Sequence, residues 1–241
     1  MTSSLMSNDL TVLLLVVGVL FVHASYQLSV SVLSYMSGRA LGQRTARRRL
    51  ASLGAGYSLG VMSMIFLILL SIVVMTNTTA ITHALALKLL TVVVAAVVPL
   101  IGLFTVLTYY RRGKGTKLWL PRPFADYLLW RARKTKSPVE AVALGATTVV
   151  GELPFVIGPL LIMAVVIAYQ PVSLWAGYSA LYALLATLPV MLIAWLFARG
   201  ITPAQVQRWR ERNKGFLQWS SGSLLVLLTI FLVILQIGAP A

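Results

Sequence analysis

Long apolar runs, separated by shorter polar stretches, dominate the chain. Most of these runs are about 20 residues or longer, the length that an α-helix needs to cross the ~30 Å hydrocarbon core of a bilayer. The pattern predicts an all-α, polytopic integral membrane protein with six transmembrane helices. The predicted spans are residues 10–36, 51–76, 88–110, 141–168, 174–198 and 216–237.

The composition agrees with this pattern and limits what else the chain contains. Of its 241 residues, 59% are hydrophobic and only 10% are charged. Six spans and their connections use up this length, which leaves no room for a soluble catalytic domain. We therefore expect a single transmembrane domain over residues 1–241.

The basic residues cluster in alternate connections, and Lys88 is the only one of the 20 that lies elsewhere. Such a bias marks the cytoplasmic loops of a membrane protein, so both termini are expected on the non-cytoplasmic side. The net charge of +15 then belongs to the cytoplasmic face, and no nucleic-acid partner is expected. The basic connections contain Arg39, Arg44, Arg47, Arg48, Arg49, Arg111, Arg112, Lys114, Lys117, Arg122, Arg131, Arg133, Lys134, Lys136, Arg199, Arg208, Arg210, Arg212 and Lys214.

Aromatic residues add information about the membrane surface. Several, among them Tyr57 and Trp195, lie near predicted span ends and are expected to be interfacial anchors. In the segment 119–134, WLPRPFADYLLWRARK, aromatic residues alternate with cations. This segment is expected either to lie on anionic lipids at the cytoplasmic face or to form a simple basic loop.

The two halves of the chain have matching plans. Residues 1–110 and residues 141–241 each hold three predicted spans, and the basic cytoplasmic loop 111–140 joins them. Because three is odd, the second half enters the membrane in the opposite sense, which is the arrangement of an inverted repeat. The first helix of each half is unusually polar or rich in Pro and Gly, and this predicts a shared site at the membrane midplane.

Glu152 is the only acidic side chain within the six predicted spans. A carboxylate inside the bilayer costs roughly 3 kcal/mol, so it normally faces a partner, a cavity or a pathway. Pro154 and Pro159 lack N–H groups and are expected to kink or break the helix, and Gly158 lies between them. We predict a substrate or ion pathway at these four residues. The alternative is a protonated Glu152 that pairs with a hydroxyl or with His23 and holds the two halves together.

The first predicted span carries a stripe of polar residues. His23, Gln27 and Ser31 follow an i, i+4, i+8 spacing, which places them on one face of a continuous helix. We predict that these residues line the same pathway. For the serine, the alternative is a hydrogen bond to its own helix, as membrane helices often show.

Other kinds of chemistry find little support. The chain has no cysteine, which excludes disulfides, thiol redox chemistry and cysteine-ligated metals. No cluster of metal-ligating residues, nucleophile paired with a base or phosphate-binding glycine loop stands out. We therefore expect no enzyme activity, no metal site and no cofactor.

Five stretches of the chain carry a resemblance to a known family. They are VLSYMSGR (32–39), YSLGVMSMIFLILL (57–70), ELPFVIGPLL (152–161), YSALYALLATLPVML (178–192) and NKGFLQWSSGSLLVLLTIFLVI (213–234). These stretches resemble the membrane domain of the CcdA/DsbD family of cytochrome c biogenesis proteins, and the resemblance covers most of the chain except the loop near 111–136. It implies a six-span protein of the bacterial inner membrane on a scaffold that is similar to the LysE-like exporters.

The chain departs from this family at the reactive positions. The family presents a Pro-Cys element on its first and fourth helices, whereas this chain has Ala24-Ser25-Tyr26-Gln27 and the Pro154-to-Pro159 segment there. Without thiolates there is no disulfide exchange, so the electron-relay activity of the family is not expected.

Two functions remain for such a scaffold. The first is a small-solute or ion transporter in which Glu152 binds a cation or a proton. The second is a non-catalytic accessory factor in membrane or cytochrome c assembly, with a protein partner that the sequence does not identify. A membrane enzyme ranks behind both.

Overall fold

The computed structural model describes residues 9–25, 28–37, 44–78, 83–108 and 122–237. Within these ranges the chain is helical, with one short 3₁₀ turn at Val172–Leu174 and no strand. The predicted all-α class is therefore confirmed. The helices are α1 (Asp9–Ser25), α2 (Leu28–Ser37), α3 (Arg44–Thr78), α4 (His83–Thr108), α5 (Arg122–Lys134), α6 (Pro138–Ala168), α7 (Trp175–Ala198) and α8 (Pro203–Ile237).

Five of these helices are long and apolar enough to cross a membrane. The pair α1 and α2 also qualifies when it is taken together, and the two helices are bent by 45° relative to each other on either side of residues 26–27. The structure thus agrees with a multi-pass membrane protein. The five candidate spans are Arg48–Asn77, Leu85–Leu107, Pro138–Ala168, Val172–Ala198 and Pro203–Leu235.

Two helices extend well beyond the predicted spans into polar sequence. Helix α3 begins at Arg44, and α8 begins at Pro203, although the pattern assigned residues 203–215 to a connection. The extra residues include Arg, Gln, Lys and Glu, which have good helix propensity, so the helix continues after the apolar segment ends. As a result, the cations of residues 203–215 lie on a rigid element that is continuous with the last span.

Helix α6 is the central element of the bundle. In its most apolar stretch 72% of the residues are buried, against 22–39% in the other four candidate spans. Pro154 and Pro159 lie inside this helix without ending it. The two prolines therefore do not divide the fourth span into two helices, whereas the first span is divided into α1 and α2.

Close packing between α3 and α6 depends on glycine. A side chain at Gly60 would collide with the Val142 carbonyl of α6, and a side chain at Gly145 would collide with the Tyr57 carbonyl of α3. Small residues let helix backbones approach closely. Membrane helices are then held together by van der Waals packing and by hydrogen bonds between helices. The close approach also brings the first half of α3 against α6.

The same principle joins α4 and α8 at a second crossing. A side chain at Gly102 would meet the Gly222 carbonyl, and a side chain at Gly222 would meet the Gly102 carbonyl. Contacts between α1 and α6, between α3 and α7, and between α4 and α8 link the first part of the chain to the last. The core therefore forms between the two halves as well as within them.

We expect Gly60→Ala to lower the thermal unfolding midpoint of the detergent-solubilised protein. The added methyl group meets the Val142 backbone, which cannot rotate away, and overpacking of this kind costs about 1–3 kcal/mol. Gly177→Ala on α7 is the matched control, because its methyl group would meet nothing within 4 Å. Equal midpoints for the two variants would contradict the close approach of α3 and α6.

Candidate functional site

The interruption between α1 and α2 creates the local geometry of the site. Because α2 starts afresh at Leu28, its first backbone N–H groups have no carbonyl one turn earlier in the same helix. In an apolar bundle such groups need another acceptor. The Ser25 hydroxyl at the end of α1 donates to the Phe21 carbonyl of its own helix at 2.9 Å.

Glu152 of α6 supplies that acceptor. Its Oε1 accepts the backbone N–H of Ser29 at 2.6 Å, and its Oε2 accepts the Ser29 hydroxyl at 3.0 Å. The side chain is only 5% exposed, and the backbone of Leu28 also faces it. A carboxylate at a helix N-terminus is stabilised by the free N–H groups and by the helix dipole. Glu152 thus caps α2 from a different helix.

A buried cation also contacts α2. Arg210 of α8 is 5% exposed, and its Nη1 donates to the Ser31 hydroxyl at 2.6 Å. The Arg210 charge also acts on the Glu152 carboxylate. Within its first four residues, α2 therefore contacts both an anion from α6 and a cation from α8.

The Tyr57 hydroxyl completes the polar group. Tyr57 of α3 is fully buried, and its hydroxyl has no hydrogen-bond partner among the described residues. Ser29, Thr148 and Glu152 lie around this hydroxyl but outside hydrogen-bonding geometry. Thr148 instead donates to the Leu144 carbonyl at 2.7 Å. An unpaired buried hydroxyl costs about 1–3 kcal/mol, so this position suits a water molecule or a ligand that accepts its proton.

The predicted polar stripe of the first span does not form one continuous face. The spacing of His23, Gln27 and Ser31 assumed an unbroken helix, whereas α1 ends at Ser25 and α2 begins at Leu28. His23 is buried, and its Nδ1 forms a hydrogen bond of 2.8 Å with the Tyr182 hydroxyl of α7. Ser31 accepts from Arg210, and Gln27 lies outside the described residues.

Pro154, Gly158 and Pro159 differ in how exposed they are. Pro154 is exposed on the surface of α6, whereas Gly158 and Pro159 are buried. A side chain at Gly158 would press on Leu225 of α8 and on Val98 of α4. Gly158 therefore allows close helix packing. The described side-chain hydrogen bonds of Glu152 are with Ser29 rather than with these residues.

Ser29, Tyr57, Tyr182 and Arg210 belong to the site although the sequence pattern did not select them. Arg210 was one of many cations in a predicted connection, and Tyr57 was expected at the membrane interface but is fully buried. Ser29 is one serine among several in the first span. Only their contacts with helices distant in sequence distinguish these four residues from others of the same type. The described residues contain no group of three or more His, Cys, Asp or Glu side chains that could hold a metal ion.

Comparison of the chain with protein-family models, with curated proteins and with solved structures gives no match. The resemblance to the CcdA/DsbD family therefore stays a prediction from the sequence, and the site has to be interpreted from its own chemistry.

We expect Tyr182→Phe to destabilise the protein by about 1–3 kcal/mol, because it leaves the buried His23 Nδ1 without its partner. The matched control is Tyr178→Phe on the same helix, where the ring is 40% exposed. Thermal unfolding in detergent compares the two variants. Equal midpoints would show that the His23 to Tyr182 hydrogen bond contributes nothing to holding α1 against α7.

Proposed function

We propose that the protein is a membrane transporter for a small solute or ion, with its binding site around Glu152. The main support is a buried carboxylate near the middle of the central helix, held at the start of an interrupted span. Intramembrane ionisable groups usually lie on a substrate or proton pathway. Interrupted helices whose ends point into the bundle are a common basis of transporter sites.

The unpaired Tyr57 hydroxyl supports binding rather than packing alone. A purely structural network is expected to satisfy all of its members, since a partly satisfied network is less stable than an apolar core. Here the Glu152 and Ser29 side chains are paired, whereas the Tyr57 hydroxyl beside them has no described partner. A site that exchanges water for a solute leaves such a group available.

We further infer six spans in two inverted halves, with α1 and α2 together as the first span. The contacts of α1 with α6, of α3 with α7 and of α4 with α8 fit this arrangement, because each pair joins equivalent spans of the two halves. The basic clusters favour non-cytoplasmic termini. The resemblance to the CcdA/DsbD scaffold favours the bacterial inner membrane, without the electron-relay chemistry that cysteine would provide.

Anionic lipids are the partners that we propose for the cytoplasmic face. Helix α5 has three cations in its last turn, Arg131, Arg133 and Lys134. The Lys134 ammonium lies 4.3 Å from the ring centroid of Trp130, which is half exposed. Exposed aromatic rings beside cations suit the headgroup region of a bilayer.

One observation favours the accessory-factor alternative. Both oxygens of Glu152 already accept hydrogen bonds from Ser29, as expected of a carboxylate that only holds α2 in place. An amide at this position retains one acceptor and the same volume, so a structural role tolerates it. A charge-dependent role does not.

We expect Glu152→Gln to be produced at normal levels and to behave like a deletion in growth assays over metals, amino acids and acid stress. The neutral amide lacks the charge that ion or proton binding requires. Glu211→Gln, an exposed carboxylate on α8, is the matched control and should complement fully. Full complementation by Glu152→Gln would remove the main support for transport and favour the accessory role.

A further inference from the structure

The N-terminus of α2 has the chemistry of an anion site. A helix start presents free N–H groups and a partial positive charge, and both favour a negatively charged oxygen. In this protein that oxygen belongs to Glu152, which accepts the Ser29 N–H and hydroxyl groups. The chain therefore fills the site with one of its own carboxylates.

Two further groups point to a ligand at the same place. The buried Arg210 guanidinium contacts Ser31 of α2 and acts electrostatically on Glu152. The Tyr57 hydroxyl is buried beside the carboxylate with no described partner, so it has a proton to donate. Backbone N–H, hydroxyl and guanidinium groups are all donors, and together they match an oxyanion rather than a cation.

Charge balance limits what can replace Glu152. If its carboxylate leaves α2, the N–H groups of the helix start and the nearby Arg210 charge lose a favourable interaction with an anion in a low-dielectric core. An incoming anion restores the balance. Glu152 is the only acidic group in the predicted spans, so its own departure from these donors requires a proton.

The titratable groups that face Glu152 from the helices around it are few among the described residues. They are Arg210 on α8 and Tyr57 on α3. His23 on α1 is turned towards Tyr182 of α7. A proton taken up at this site therefore goes to the Glu152 carboxylate.

We propose that the site binds a small monovalent oxyanion of carboxylate type in place of the Glu152 side chain, together with one proton on Glu152. If the proposed transport function holds, on which this part rests, the substrate is such an anion and it moves with a proton. A lone intramembrane carboxylate favoured a cation as the ligand, whereas the donors around it favour an anion. Glu152 acts as an internal competitor for the anion.

The first test is rescue of an emptied site in the purified full-length protein. Acetate reproduces the removed carboxylate, so it should raise the thermal unfolding midpoint of Glu152→Ala by several degrees in a concentration-dependent way. Wild type should respond only at acidic pH, where a proton on Glu152 lets its side chain leave the donors; at neutral pH its own carboxylate should block acetate. Acetamide has the same shape without the charge, and gluconate matches the ionic strength but is too large. A rise with acetate no greater than with gluconate would overturn the proposal.

The second test keeps Glu152→Ala, whose emptied site has room for acetate, and adds one further substitution. Glu152→Gln alone is the control, because its amide keeps the volume of the side chain and should prevent the acetate effect. Adding Arg210→Gln to Glu152→Ala should abolish the acetate effect, whereas adding Arg212→Gln, an exposed neighbour, should preserve it. An acetate effect that survives Arg210→Gln would place the anion elsewhere and contradict the site.

Measuring lactate uptake distinguishes the proposed anion site from the proposed transport function. Proteoliposomes with an alkaline interior should take up radiolabelled lactate with the wild-type protein, and this uptake should be absent with Glu152→Gln, as expected of a variant that behaves like a deletion. Acetate rescue without any lactate flux would support the anion site and count against the transport of this anion class. Cation-coupled flux without acetate rescue would support transport and overturn the anion site.

Discussion

The interior of a bilayer contains no water to satisfy backbone polar groups, and the arrangement around α2 follows from this constraint. An interrupted span exposes the N–H groups at the start of its second helix, so an acceptor has to come from elsewhere in the bundle. Glu152 provides it from the central helix, and Ser29 uses both its N–H and its hydroxyl to bind the carboxylate. The buried Glu152 carboxylate and the N–H groups at the start of α2 therefore stabilise each other.

Close packing at glycines positions the groups around Glu152. Because Gly60 and Gly145 let α3 and α6 approach to backbone contact, the buried Tyr57 lies beside the Glu152 region. Arg210 reaches Ser31 of α2 because α8 continues as a helix into its polar segment. Residues from α2, α3, α6 and α8 thus form one polar group inside an apolar bundle. Displacing any one of them changes the charge balance of the others.

The first and fourth proposed spans meet through a serine and a carboxylate. On the proposed likeness to the CcdA/DsbD family, these are the spans that carry thiols in that family. The proposed exchange between the Glu152 carboxylate and an external anion uses only hydrogen bonds and charge, which the described residues supply. It needs a proton but no redox partner.

Apolar length and a lone intramembrane charge are local properties, so the sequence predicted the membrane class, the all-α fold, most of the span positions and the need of Glu152 for a partner. It predicted a kink or break at the prolines of α6 but not the division of the first span between Ser25 and Leu28. It also left Arg210 in a loop and Tyr57 at the interface. These placements follow from helix packing, because each residue pairs with a helix distant in sequence: Arg210 with Ser31, His23 with Tyr182, and Glu152 with Ser29. A charge pattern shows that a buried group needs a partner, whereas helix packing determines which partner it has.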